Sequence, residues 1–343
     1  MLFGRRSVAT GLAGGVVTLA VPQPLRAQQV SGSQVSGSQI SGPLTLYTSQ
    51  LEPDAAQTVE AFRRRHPGVT VEWIRGGTGQ IMTRLRAEIA AGNPRPDVLL
   101  LADGLTFEGL RAEGRLRPSP EVAIAGTPAG QIDEGRGYFG TKLITTGIMH
   151  HARAPFVPRH WADLLDARAR NQVAMPSPAV SGAAAIHVTA LVQNPALGWE
   201  YVERLVRNGV QARGGNGPVM QAVAGAERAF GIAIDYLPIR EQRNGAPVRF
   251  VFPEDGVSAI TEPAGILSTA RNVPAAIAFI DFLLSREGQE LASRQGFLPI
   301  DPTVAPPAGF PDPRSIRVMP FDAAAAARDQ AEILRRFAQL AGG

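Results

Sequence analysis

Between Leu44 and Leu101 the sequence changes period repeatedly, and that alternation limits the folds open to the chain more than any other feature. Leu44-Thr45-Leu46-Tyr47-Thr48 reads as a strand that stops at Ser49-Gln50. Asp54 to His66 places Ala55, Val59 and Phe62 on one helical face, with Pro67-Gly68 as the stop. Val69 to Ile74 is a second strand, ending in Gly76-Gly77-Thr78-Gly79. Ile81 to Ala91 is a second helix, stopped by Gly92 and Pro94. Asp97 to Leu101 is a continuous apolar strand, the kind that sits buried on both faces of a parallel sheet. A βαβαβ unit within about 60 residues argues for an open α/β sheet.

A second set of elements follows Tyr138. Strands are predicted at Leu143–His150, Val173–Met175, Ala229–Tyr236 and Val248–Pro253. Helices are predicted at Trp161–Leu165, Ser181–Gln193, Trp199–Asn208, Val219–Gly225, Val273–Leu284, Gly288–Gln295 and Ala323–Leu340. Two α/β units, with a return to the first, make a hinged pair whose strand ends face a shared crevice.

The N-terminus bounds where such a chain works. Arg5-Arg6 precedes an apolar stretch of small residues from Val8 to Val21, and Leu25-Arg26-Ala27 ends it. This is the three-part layout of an export signal, read as residues 1–27 and compatible with either the general secretory or the twin-arginine route. Residues 28–43, rich in Ser, Gly and Gln, read as a flexible linker. The absence of cysteine excludes a disulfide framework, a thiolate nucleophile and Cys-ligated metal. The formal net charge is only +4, and no basic run exceeds Arg63-Arg64-Arg65, so a nucleic-acid surface is not expected. No HExxH, GxSxG or Walker motif appears, and His150-His151, being adjacent, is expected to be a surface pair rather than a metal face. Neither an enzyme nor a cofactor is therefore expected.

The runs LTLYTSQ, HPGVTVEWIRGGTGQIMTRLRAE, RPDVLLLAD, NGPVMQAVAGAERAFGIAIDY and AAIAFIDFLLSREGQELASRQGFLPI, with the SGAAA helix start, resemble the bacterial extracellular solute-binding proteins of the ferric-iron-binding type. The resemblance covers roughly residues 44–320. It implies a type II periplasmic-binding fold, with two α/β lobes closing over a cleft. Lobe 1 is expected at residues 44–140 and 257–322, lobe 2 at 141–256, and a C-terminal helix at 323–343. Crossing strands are expected near residues 138–148 and 250–262. The resemblance further implies a monomer in the periplasm that gives a small ligand to the permease and ATPase of an ABC importer in the inner membrane.

It also implies a ligand set, from which this chain departs. Iron-binding members offer a His in the first loop, a Glu after the third strand and a late Tyr–Tyr pair. Here those positions fall on Leu51, Ala102, and Tyr236 with Leu237. Hard Fe(III) needs anionic oxygen ligands, and one of four survives, although Asp103 or Asp235 could substitute. The anion half of such a site is retained. Ser181, Gly182 and Ala183 match the helix start that holds an anion in iron members, and Asn216 matches a further anion contact. Free N–H groups and the positive end of the dipole favour an anion there, while Ser181 is also an ordinary N-cap. Thr78 and Gly79 offer a second run of N–H groups, or a plain turn. Thr48 and Ser49 are expected to point hydroxyls into the crevice. Asp103 could receive an ammonium or a sugar hydroxyl, and Tyr236 could stack on an organic moiety or fill the core. The expected ligand is a small organic anion such as a phosphonate or organophosphate. Ferric iron, with or without a chelating anion, and a sensory role are the alternatives.

Overall fold

A computed structural model describes residues 40–124 and 126–342. The expected export signal, and the linker up to residue 39, lie outside the described residues. Strand β1 (Gly42–Thr48) starts two residues inside the linker as it was drawn.

Helix α1 (Glu52–Arg65) follows β1 and buries Ala55, Val59 and Phe62 against the sheet, as their helical spacing requires. Strand β2 (Val69–Arg75) lies parallel to β1 on one side. Helix α2 (Thr78–Ala90) crosses to β3 (Val98–Leu100), parallel to β1 on the other side. The order β2–β1–β3 is the predicted open α/β unit. Helix α3 (Gly104–Ala112) was not foreseen.

The chain then enters β4 (Tyr138–His151), the longest strand. Beyond it come β5 (Val173–Met175), α4 (Gly182–Gln193), α5 (Gly198–Arg207), β6 (Gln211–Ala212), α6 (Asn216–Ala224) and β7 (Phe230–Ile234). Strands β7, β5 and β6 are parallel neighbours, in that order. Helix α7 (Tyr236–Arg243) and β8 (Val248–Val251) follow. Tyr236 therefore opens a helix instead of ending a strand: Asp235 caps that helix by accepting from the Tyr236 N–H, and Pro238 falls in its first turn, where a missing N–H costs nothing.

Strand β9 (Ser258–Ile266) brings the chain back to the first unit. Its last three residues, Ala264 to Ile266, pair with β3, and Ser258 to Gly265 pair with β4, both antiparallel. Helices α8 (Val273–Leu284) and α9 (Arg286–Gln295), β10 (Leu298–Pro299) and the closing helix α10 (Ala323–Leu340) complete the described chain. One apolar cluster joins β1, β3, α1 and α8 through Leu44, Phe62, Val98 and Phe279. Another joins β5, α4, α5, β7 and α10 through Met175, Leu191, Leu205, Phe230 and Phe337. Strands β4 and β9 link the two halves. Where they pair, the register shifts between Gly140 and Leu143, a bulge that redirects the side chains of Thr141 and Lys142.

His150 and His151 are not a surface pair. Both are buried, because β7 and β8 pair with the end of β4 on which they sit. His150 Nδ1 meets the His151 carbonyl oxygen at 3.0 Å, and His151 Nδ1 accepts from the Arg153 N–H.

Candidate ligand-binding cleft

A cavity of about 320 Å³ lies where the two halves meet, large enough for a small metabolite. Its rim is made by three helix starts, those of α2, α4 and α6, with Thr78, Ser181 to Ala183, and Asn216 to Pro218 on its wall. The first N–H groups of a helix have no intrahelical acceptor, and the dipole places partial positive charge on them. Three such ends on one cavity therefore create a field that favours an anion.

The side chains add to that field. Ser181 Oγ accepts from the Ala184 N–H at 3.3 Å, so the serine does cap α4, and it also accepts from Asn216 Nδ2 at 3.3 Å. Those two contacts bring α4 and α6 together and leave the Ser181 hydroxyl proton to be donated elsewhere. Thr78 is 4% exposed, and its Oγ1 is buried without a hydrogen-bond partner. A buried hydroxyl on a cavity wall is costly unless a ligand or water meets it. Arg75, at the end of β2, donates its Nε to the Gln50 carbonyl oxygen and has no acidic partner among the described residues. Sequence reasoning missed Arg75, which carries the full positive charge on this rim.

The two sides are in contact around the cavity. The Gly79 N–H donates to the Val180 carbonyl oxygen at 3.3 Å. A Cβ on Gly77 would stand 2.3 Å from that same oxygen, and one on Gly182 would stand 2.6 Å from the Ala102 oxygen and 2.9 Å from Thr78 Oγ1. The glycines allow the starts of α2 and α4 to close on one another.

The floor is of another kind. Glu262 on β9 is 2% exposed and lines the cavity, and its Oε2 accepts from Lys142 Nζ at 2.6 Å and from Gln50 Nε2 at 3.2 Å. Burial pushes its carboxyl up, against the pull of Lys142 and Gln50. Beside it Asp54, fully buried, accepts from Arg240 at 2.7 Å, and burial also raises its carboxyl. Tyr236 lines the cavity and packs at a tilt against Phe297, ring centroids 4.1 Å apart; burial and the charges of Asp54 and Glu262 hold its phenol protonated. Leu51, Ala102, Ile144 and Ile234 supply apolar wall.

Of the residues predicted to touch ligand, Ser49, Thr78, Ser181, Gly182, Ala183, Asn216 and Tyr236 line this one cavity. Four do not. Thr48 is fully buried, with Oγ1 accepting from the Gln50 N–H. Gly79 packs beneath Ala179 and Val180. Asp103 caps α3, accepting from the N–H groups of Leu105 and Thr106 and from the Thr106 hydroxyl, so its oxygens are occupied. Asp235 accepts from the Thr145 N–H and hydroxyl and from the Tyr236 N–H, and burial pushes it up to about 7. Asp103 is engaged at the start of α3, and Asp235 is engaged both by the start of α7 and by Thr145 on β4. Among the described residues no group of three or more His, Cys, Asp or Glu is placed to hold a metal. No described helix is long and apolar enough to cross a membrane.

Comparison with known proteins agrees with this architecture. The family model described as bacterial extracellular solute-binding protein matches residues 44–298, and the chain belongs to that family. An uncharacterized protein of Haemophilus influenzae is 28% identical over 305 residues, covering 81% of this chain and 84% of that one. Among solved structures, the periplasmic binding protein AfuA from Actinobacillus pleuropneumoniae, with exogenous fructose-6-phosphate bound, superposes with a TM-score of 0.79 at 21% identity, covering 88% of this chain and 99% of that one. Iron-bound HitA from Pseudomonas aeruginosa gives a TM-score of 0.73 at 20% identity, covering 86% and 99%. The fold is the type II periplasmic-binding fold, two α/β lobes about a cleft.

Proposed function

We propose that this extracellular solute-binding protein captures a small organic anion, a phosphate or phosphonate ester, in its interlobe cleft. In this reading it works in the periplasm, without transforming its ligand, and gives it to the permease and ATPase of an ABC importer. The observation that carries the proposal is the convergence of three helix N-termini, the Arg75 guanidinium and the partnerless Thr78 hydroxyl on one cavity. A tetrahedral oxyanion presents several acceptors to N–H and O–H donors at once, and charge-assisted bonds of this kind are about twice as strong as neutral ones.

The wall chemistry speaks against ferric iron as cargo. Leu51 and Ala102 line the cavity at the positions where the iron-binding pattern calls for His and Glu, and a methyl or isobutyl group donates nothing to a metal. Hinging is assigned to β4 and β9, with lobe 1 as residues 44–140 and 257–322, lobe 2 as 141–256, and α10 attached to lobe 2.

The test is a thermal-shift series on the mature chain with inorganic phosphate, alkyl phosphates, phosphonates, sugar phosphates and ferric citrate. A ligand bound only by the native state raises the midpoint by mass action. Stabilisation by one or more of the phosphorus compounds is expected. Stabilisation by ferric citrate alone contradicts the proposal.

A further inference from the structure

We infer that the ligand carries a neutral hydroxyl besides its anionic head, and that Glu262 receives it. The inference rests on the anion reading above and adds a second recognition element, on the floor of the same cavity.

Glu262 is the acid that the cavity itself contains, now that Asp103 and Asp235 are occupied as caps. Only its Oε2 is engaged, by Lys142 Nζ and Gln50 Nε2; Oε1 makes no hydrogen bond among the described residues. A carboxylate that lines a ligand cavity with one oxygen uncommitted is an acceptor waiting for a donor. Two buried neighbours behind it, neither of them on the cavity wall, also hold an unpaired acceptor. Gln50 Oε1 and Asp54 Oδ2 are both buried without a partner. The rim therefore presents donors and the floor presents the Glu262 Oε1 acceptor, and a ligand that satisfies both is polar at both ends.

The choice between a hydroxyl and an ammonium follows from charge. Glu262 already has Lys142 at 2.6 Å, and Asp54 has Arg240 at 2.7 Å, so the floor is neutral in sum. A ligand cation there would be stripped of water against carboxylates that are already neutralised, with no unmatched negative charge to offset that cost. A hydroxyl donates to Oε1 without disturbing either pair. The β4 bulge at Gly140–Leu143 holds this arrangement, since it places Lys142 under β9 and lets the Thr141 hydroxyl donate to the Glu262 carbonyl oxygen at 2.6 Å.

The test titrates the mature chain calorimetrically with propyl phosphate, glycerol 3-phosphate and phosphoethanolamine, which share a head and differ in the tail. Glycerol 3-phosphate is expected to bind about tenfold tighter than propyl phosphate or more, and phosphoethanolamine no tighter than propyl phosphate. In the double variant K142M/E262Q, which removes the ion pair as a unit, the glycerol 3-phosphate advantage should fall to within about twofold. Its unfolding midpoint is measured alongside, and if it does not fold the wild-type ranking alone decides. Equal binding of propyl and glycerol phosphates overturns the inference and leaves the anion reading standing. Tightest binding of phosphoethanolamine overturns the choice of a neutral donor. Binding of none of the three overturns the anion reading and this inference with it.

Discussion

The rim and the floor of the cleft solve opposite problems with similar residues. On the rim, donors are left over: the N–H groups of Gly182 and Ala183 on α4 and of Asn216 and Gly217 on α6, the Thr78 hydroxyl and the Arg75 guanidinium. On the floor, charges are matched in pairs, Lys142 with Glu262 and Arg240 with Asp54. Unmatched donors at the edge of a cavity cost stability unless something binds there, whereas matched buried charges chiefly hold a geometry. The difference separates what grips the ligand from what holds the crossing strands in register.

The largest effect is expected on the floor. Lys142→Met leaves the Glu262 carboxylate buried without its cation and should cost about 3–5 kcal/mol in urea unfolding at neutral pH. A loss under about 1 kcal/mol would mean that the pair does not order the crossing strands.

A prediction behind the cavity wall concerns pH. The Asp235 carboxyl has an ordinary value of 3.8 and is pushed up to about 7 in the folded chain by burial. The folded state then holds a proton that the unfolded state has released, so this group's stabilisation is complete below about pH 4 and is lost as pH rises through about 7. Asp235→Asn is neutral throughout and lacks that loss. Between pH 4 and 7 the stability difference should move in favour of the variant, by an amount on the order of a few kcal/mol. Parallel stability–pH curves for the two proteins would contradict the assignment.

On the rim, Gly182→Ala places a methyl group against the Ala102 oxygen and the Thr78 hydroxyl. Overpacking of this kind costs about 1–3 kcal/mol. Because it acts where the start of α4 meets Thr78 and the turn after β3, at the cavity wall, it should weaken ligand binding more than it lowers the unfolding midpoint. Small-angle scattering should then show a larger radius than wild type at the same ligand concentration. Arg75→Gln is the mildest change. Arg75 is exposed and makes one bond to the chain, so about a few-fold to tenfold loss of affinity is expected, with weaker dependence on salt and no change in the midpoint.

Much of this architecture was legible in the alternation of periods. Apolar spacing located α1 and α10, and continuous apolar runs located β3 and β5, because local packing alone decides those elements. The helix start at Ser181 was also legible, through its capping chemistry and the family pattern, whereas α6 begins three residues before the Val219 expected. What escaped reading depends on distant partners. Glu262 sits in a strand whose meaning comes from Lys142, 120 residues earlier, and from a register shift in β4. Arg75 falls between the strand expected at Val69–Ile74 and the glycine run, and nothing nearby in sequence marks it as facing a cavity. His150 and His151 read as exposed because no local signal says that two further strands pair over them. Asp103 and Asp235 did carry a signal that was passed over: each stands directly before a helix start, where an aspartate is more useful as a cap than as a ligand.

Calorimetric titration of Ser181→Ala and Asn216→Ala, with their unfolding midpoints measured alongside, tests the anion cleft most directly. The probe is whichever phosphorus compound stabilises the wild-type chain most. Loss of a cap alone costs about 0.5–2 kcal/mol of stability and leaves affinity unchanged. Loss of a charge-assisted bond to a bound oxyanion costs a further 1.5–3 kcal/mol of binding, or roughly ten- to more than a hundredfold in Kd. The anion cleft predicts that Ser181→Ala shows both losses and that Asn216→Ala shows the second. Affinities within twofold of wild type for both variants would leave Ser181 a structural cap and contradict the anion cleft.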